Sequence, residues 1–397
     1  MMSGLCRSSF KLGSKFLINN SFSTSTHRPA FPPILLALSK PVAKVLTVIL
    51  GKGARTWWKK LPDNKKYVFK QIYQDNRKKV YTAVAVSTLG LGYAYESHVQ
   101  ECAITGRRRF VALTPDQAKR IGEKEFRSLL VINEGNIVPE SNPVYGKVAG
   151  VANQILQANK DLRQIYDKTW TLTVVDDTSE NAFVLPSGNI FVLTGMLKAC
   201  ETLDELGIVL SHEIAHVVLG HVEEKLTLTS FVQLVLLIPM AVLWAFLPND
   251  GIALVFNWFM DTVVDIMIEL PFSRDMETEA DRVGLILAAK ACIDVREAPV
   301  FWGRLKLLSE DPSLDKEMEF SSTHPCHETR QETLTNLLKD ALHIRHSCGC
   351  TVLDYNRDPM KKLAALAAFM NSRRNTSSNS RSLTDVLVNQ DGRIVQK

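Results

Sequence analysis

The chain has 397 residues, 46% of them hydrophobic and 22% charged, with a formal net charge of +5. Much of that excess is local, because residues 51–79 hold ten Lys/Arg against Asp63 and Asp75, and no nucleic-acid partner is expected. Seven cysteines, odd in number and scattered, do not suggest a disulfide framework, and neither an internal repeat nor a nucleotide-binding glycine loop is evident.

No Asp or Glu precedes Asp63, while Arg7, Lys11, Lys15 and Arg28 are spaced among Ser, Thr, Leu and Phe. That composition marks residues 1–30 as a mitochondrial transit peptide, since a secretory signal would carry one uninterrupted apolar core. Residues 31–79 read as a basic, membrane-proximal matrix segment. Pro32 to Leu50 is apolar but broken by Lys40 and Lys44, hence interfacial, and Trp57 and Trp58 among lysines suit a membrane surface. Val80 to Tyr95 carries no charge and follows Arg77-Lys78-Lys79, so residues 80–96 are the expected transmembrane helix, with a buried soluble helix as the alternative. The charge asymmetry places the N-terminal side in the matrix and the remainder in the intermembrane space.

Residues 97–165 read as a helical region leading into a larger domain at 166–350, with Gln117 to Leu130 and Val144 to Leu162 as its segments. Trp170 to Val175 alternates apolar and polar like a half-buried strand. Pro186-Ser187-Gly188-Asn189 is a turn and Ile190 to Leu193 the returning strand. Such a hairpin either supplies an edge for an extended substrate or is purely structural.

Thr202-Leu203-Asp204-Glu205 reads as a capping box that opens a helix with Leu203, Leu206, Val209, Leu210, Val217 and Val218 on its buried face. On that helix lie His212-Glu213-Ile214-Ala215-His216. The two histidines are about 400° apart and can reach one ion, while Glu213 can serve as the base for water. Two core histidines beside a surface glutamate are the plainer alternative. His221, about 180° further around a continued helix, is expected to face away as a surface or supporting group. Leu226 to Asn249 follows without a charge, within an apolar membrane-associated insertion at 226–264. A single crossing would separate the histidines from any later ligand, so either Gly251 to Met260 helps the chain return or, the reading favoured, the segment dips into the membrane.

Ser273 to Asp281 reads as the start of a second helix with Ser273 as N-cap. Glu277 and Asp281 share a face, and Glu279 points elsewhere. Glu277 would complete a His-His-Glu zinc site, and Asp281 would hold the free ring nitrogen of His212. An acidic first turn complementing the helix dipole is the competing reading.

His212 to His216 with Glu277-Thr278-Glu279-Ala280-Asp281 resembles the integral-membrane gluzincins that include bacterial HtpX and the CAAX prenyl proteases. The hairpin Asn181 to Val192, and Ser322-Thr323-His324-Pro325 followed by Arg330, resemble the same family, so the likeness spans about residues 140–345. It implies a mainly α fold with a small β-hairpin or sheet, a zinc site between two helices and a membrane anchor. By resemblance, His324 stabilises the transition state or masks the zinc, and Arg330 supports the site. Lys52-Gly53, Trp57-Trp58 and Leu61 to Lys66 are similar to a mitochondrial inner-membrane branch of the family. That branch implies membrane-anchored substrates, among them a dynamin-like fusion GTPase, and activity that rises under stress.

The expected protein is therefore a metalloendopeptidase with one Zn2+ per subunit on His212, His216 and Glu277, with Glu213 and His324 catalytic. Membrane-anchored proteins, inner-membrane lipid and a second copy of the chain are its expected partners. A catalytically silent membrane scaffold retaining the fold is the alternative, against which an intact Glu213 argues. Cys348 and Cys350 are read as ordinary thiols, with a redox-active pair in the intermembrane space as the alternative, and residues 351–397 as a flexible tail.

Overall fold

The computed structural model describes residues 40–247, 250–252, 254–255, 258, 270–309, 320, 323–324, 330–370 and 372. The expected transit peptide, residues 259–264 of the insertion, Ser322 and Pro325, and the tail from 373 lie outside them. The described chain is mainly helical, with one three-stranded sheet and one two-stranded hairpin.

Two long helices come first, α1 (Lys40–Lys60) and α2 (Asp63–Ser97), joined at Leu61-Pro62. Pro62 cannot extend α1, and Trp57 packs edge-on against Phe69 across the junction at 5.3 Å. The expected span 80–96 lies in the C-terminal half of α2, a helix with no buried residue. Beyond α2 comes a hairpin that periodicity did not reveal, β1 (Val99–Glu101) paired antiparallel with β2 (Arg108–Phe110). Tyr95 stacks on Phe110 at 4.8 Å and joins the end of α2 to that hairpin.

Helices α3 (Pro115–Ile132) and α4 (Pro143–Ala158) match the two expected helical segments, each opened by a side-chain cap from Thr114 or Asn142 and a proline in the first turn. After the single turn α5 (Arg163–Tyr166), β3 (Thr171–Val175), β4 (Ala182–Val184) and β5 (Asn189–Leu193) form the sheet in the order β3-β5-β4. β4 and β5 are the antiparallel hairpin, with Phe183 opposite Phe191 and their rings stacked at 5.1 Å. The short α6 (Thr194–Ala199) leads into α7 (Leu203–Leu219), which is buried along almost all its length. The Thr202 hydroxyl accepts from the Glu205 amide at 3.0 Å, as the capping box requires. Glu205 itself reaches past Thr202 to the Glu201 amide and takes two 2.7 Å bonds from Arg304.

At Gly220, φ +70°, the chain adopts the left-handed turn that ends a helix, and α8 (His221–Phe246) starts in a new direction. α8 is the one helix among the described residues long and apolar enough to cross a membrane. Its 26 residues extend about 39 Å at 1.5 Å each. α1, whose first half lies in the stretch expected to be interfacial, runs along it. A Cβ on Gly51 would fall 2.2 Å from the Trp244 Cβ, so the helices touch at backbone distance. Arg55 donates to the Leu247 carbonyl at 3.0 Å, closing the C-terminus of α8, and Lys52 pairs with Asp250 at 2.7 Å.

The chain returns in α9 (Leu270–Lys290), which already contains Ser273, so Ser273 is not its N-cap. α9 packs along α7, with α10 (Glu297–Ser309) and α11 (Arg330–Ser347) completing the core. At its end the Cys292 amide bonds to the Ala289 carbonyl and the Ile293 amide to the Ala288 carbonyl. This is the closing pattern of a helix with a left-handed residue, here Cys292 at φ 61° where glycine is usual. Cys292 and Cys350 form a disulfide, which corrects the expectation of unbridged thiols at Cys350, while Cys348 takes no part in it. Residues 359–370 are helical with Leu363 and Met370 buried, so the expected tail is packed structure at its beginning.

Candidate metal centre

α7 places His212 and His216 on the face turned to α9, where α9 presents Glu277 and Asp281. The two helices come this close because α9 has Gly284 there. A Cβ at that position would lie 2.9 Å from the Cα of His212. His212 Nε2 is 3.0 Å from His216 Nε2 and 3.2 Å from Glu277 Oε2, and His216 Nε2 is 3.4 Å from Glu277 Oε1. His324 brings Nδ1 to 3.0 Å from Glu277 Oε1 and 3.3 Å from His212 Nε2. These four residues offer ligand atoms within 4.8 Å of one another.

The donor set suits a zinc-sized cation. Ligand atoms about 2.0–2.1 Å from zinc stand about 3.3 Å apart at tetrahedral corners, close to the separations found. Ring polarity agrees. His212 Nδ1 faces Asp281 Oδ1 at 3.0 Å and donates its hydrogen there, and His216 Nδ1 is engaged at 2.9 Å by His221 Nδ1. His212 Nε2 therefore turns a lone pair towards His216 Nε2 and the Glu277 carboxylate, an arrangement that calls for positive charge between them. With only protons to supply it, burial would depress His212, but hydrogen bonds to Asp281 and Glu277 outweigh burial and push it up to about 9. His216 is held well below the ordinary histidine value by burial and by His212. Burial would raise Glu277, yet its hydrogen bonds to His212 and His324 hold it far below the usual carboxylate range.

Glu213, 4% exposed, points its Oε1 into the site with no hydrogen bond, 3.3 Å from His324 Nε2. Burial raises its carboxyl pKa, which favours proton uptake. Arg330 grips Asp281 with two bonds, Nε at 2.6 Å and Nη2 at 2.7 Å, and lies 3.3 Å from Glu277 Oε2. Its guanidinium sits over the Trp302 ring at 3.3 Å. Burial favours the neutral form of Asp281, but Arg330 and the His212 bond hold its pKa down.

All the expected residues, His212, Glu213, His216, Glu277, Asp281, His324 and Arg330, thus meet in one place. His221 departs from expectation. Because α7 stops at Gly220, its ring turns back against His216 and is buried instead of facing away. Glu279, on another face of α9, accepts from His221 Nε2 at 3.1 Å, from Arg107 Nε at 2.8 Å and from the Thr105 hydroxyl. Arg107 also makes two bonds to Glu224, at 2.8 and 2.6 Å. Sequence reasoning missed Arg107, Thr105 and Glu224 altogether, while Gly220 as a helix stop was the available signal for His221.

A profile of peptidase family M48 matches residues 148–338. A Bos taurus protein named metalloendopeptidase OMA1, mitochondrial, is 37% identical over 336 residues, which is 84% of this chain and 64% of that protein. The Homo sapiens protein of the same name is 37% identical over 342 residues, 85% of this chain and 65% of its own length. A Danio rerio protein, again so named, is 35% identical over 361 residues, 88% of this chain and 75% of its own length. The chain therefore spans slightly under two thirds of the bovine and human proteins.

Proposed function

This chain belongs to peptidase family M48, and from that membership we propose that it is a zinc metalloendopeptidase of the mitochondrial inner membrane that cleaves membrane-anchored proteins. The observation that carries the reading is the convergence of two histidine Nε2 atoms and the Glu277 carboxylate beside the unbonded oxygen of Glu213.

His212, His216 and Glu277 would hold the zinc. Bound there, the ion supplies Lewis acidity for a peptide carbonyl and brings the pKa of water near neutrality. Glu213 then takes the proton of the attacking water and delivers it to the leaving amine nitrogen, the task its raised pKa suits. Asp281 keeps the His212 hydrogen on Nδ1, and Arg330 keeps Asp281 ionised and in place. His324 stands within reach of both Glu213 and Glu277, where it either assists the reacting carbonyl oxygen or fills the corner that substrate needs.

The names of the relatives, the basic residues 51–79 and the length of α8 support this location. The N-terminal side faces the matrix and the metal centre the intermembrane space. α8 leaves the site and α9 returns to it, which suits a membrane excursion that ends on the side where it began. Substrates anchored in the same membrane then reach the site readily. By resemblance they include the dynamin-like fusion GTPase, cleaved more under stress.

The test is Glu213→Gln in full-length protein reconstituted in vesicles with a membrane-anchored reporter, following cleavage and bound zinc together. Loss of cleavage with zinc retained is expected. Unchanged cleavage would overturn the reading and leave a membrane scaffold with the peptidase fold.

A further inference from the structure

His212 is backed directly by a carboxylate, but His216 is backed by another imidazole. His221 Nδ1 meets His216 Nδ1 at 2.9 Å, and His221 Nε2 meets Glu279 Oε2 at 3.1 Å. The bond directions are set from the metal side. With Nε2 of His216 given to the metal, as the proposed function requires, its hydrogen is on Nδ1 and is donated to the His221 Nδ1 lone pair. His221 then carries its own hydrogen on Nε2 and donates it to Glu279. Glu279 is fixed in turn by Arg107 and Thr105, both on the turn between β1 and β2. That turn is tightly built, with the Gly106 amide bonded to the Cys102 carbonyl at 2.8 Å and Gly106 at φ +72°.

We propose that His221 and Glu279 are the positioning residues for His216, and that Arg107 ties them to the hairpin that directly follows α2. Orientation of the second ligand thereby depends on the seat of that hairpin, held by Tyr95 of α2 and Phe231 of α8 against Phe110. A ligand whose ring is held by an outer partner is lost from the metal less readily than one free to rotate. This rests on the metallopeptidase reading above.

The experiment measures zinc itself. Full-length protein in detergent is loaded with Zn2+, and its release to a chromogenic chelator is followed in the wild type, His221→Phe, His221→Gln, Glu279→Gln and Arg107→Ala. Phenylalanine keeps the ring volume and removes both nitrogens, whereas glutamine keeps an acceptor for His216 and a donor for Glu279. Release 10–100-fold faster in His221→Phe, restored to within a few-fold by His221→Gln, is expected. Glu279→Gln and Arg107→Ala should fall between. Unchanged release in His221→Phe would overturn the proposal, and so would equal acceleration in the phenylalanine and glutamine variants, which would mark His221 as packing alone. A wild type that binds no zinc would instead overturn the metallopeptidase reading.

Discussion

Gly284 lies directly against His212, with room for hydrogen where any other residue would press a Cβ to 2.9 Å from the His212 Cα. One turn earlier on α9 stands Asp281, and about two turns earlier Glu277, so backbone contact at Gly284 sets the reach of both carboxylates. Gly284→Ala should therefore spread α7 from α9 even though alanine favours helix. The expected cost is about 1–3 kcal/mol of stability, the usual range for overpacking. Zinc affinity should fall with it. A variant with normal zinc content and an unchanged melting temperature would show that the helix separation does not control the site.

Asp281 has two duties, one towards His212 and one towards the buried Arg330. Asp281→Asn preserves shape and removes charge, and should weaken zinc binding by roughly 10–100-fold. Asp281→Ala should in addition destabilise the fold by about 3 kcal/mol, because the buried Arg330 loses its two short bonds and is left with the longer contact to Glu277. Zinc competition titrations and thermal unfolding separate the two effects. Wild-type zinc affinity in Asp281→Asn would remove the carboxylate from the argument.

Away from the metal, Glu297 opens α10, and burial together with the charges of Glu205 and Asp294 pushes it up to about 7. The folded state thus binds its proton more tightly than the unfolded chain, whose glutamate titrates near 4.5. Its stabilising contribution is full below the unfolded value and is lost as pH rises through the folded one. Glu297→Gln should raise the melting temperature at pH 8 by roughly 2–4 °C, taking about 1 kcal/mol after solvent screening. At pH 4 the change should be near zero. Equal shifts at both pH values would refute the assignment.

The Cys292–Cys350 bridge closes a loop with a sequence separation of 58. By chain entropy alone such a bridge is worth about 4 kcal/mol. Cys292→Ser, Cys350→Ser and the double variant should therefore lose similar stability, since each removes the same bond. If the double variant lost about twice as much as either single, the cysteines would be acting separately.

What could be read from residues was mostly local. His212, Glu213 and His216 lie within one turn, and Glu277 and Asp281 within another, so spacing alone put each set on a face. The cap at Thr202 was legible for the same reason. His221 was misjudged because the helix was carried through Gly220, where the left-handed turn redirects it. Ser273 was taken for a cap, but the helix already begins at Leu270, with Pro271 tolerated in its first turn. The β1–β2 hairpin has strands of three residues, too short for alternation to show, and Arg107 on its turn was hidden with it. The disulfide joins residues far apart in sequence, and no local pattern announces such a pair.

The path of the chain between His216 and Glu277 has a consequence for the order of assembly. The ligands lie on opposite sides of the excursion that leaves along α8 and comes back through α9, so no stretch of nascent chain contains a working centre. A copy in which α9 has not packed on α7 brings no carboxylate to His216, so the proposed activity would arise only in molecules whose fold is complete.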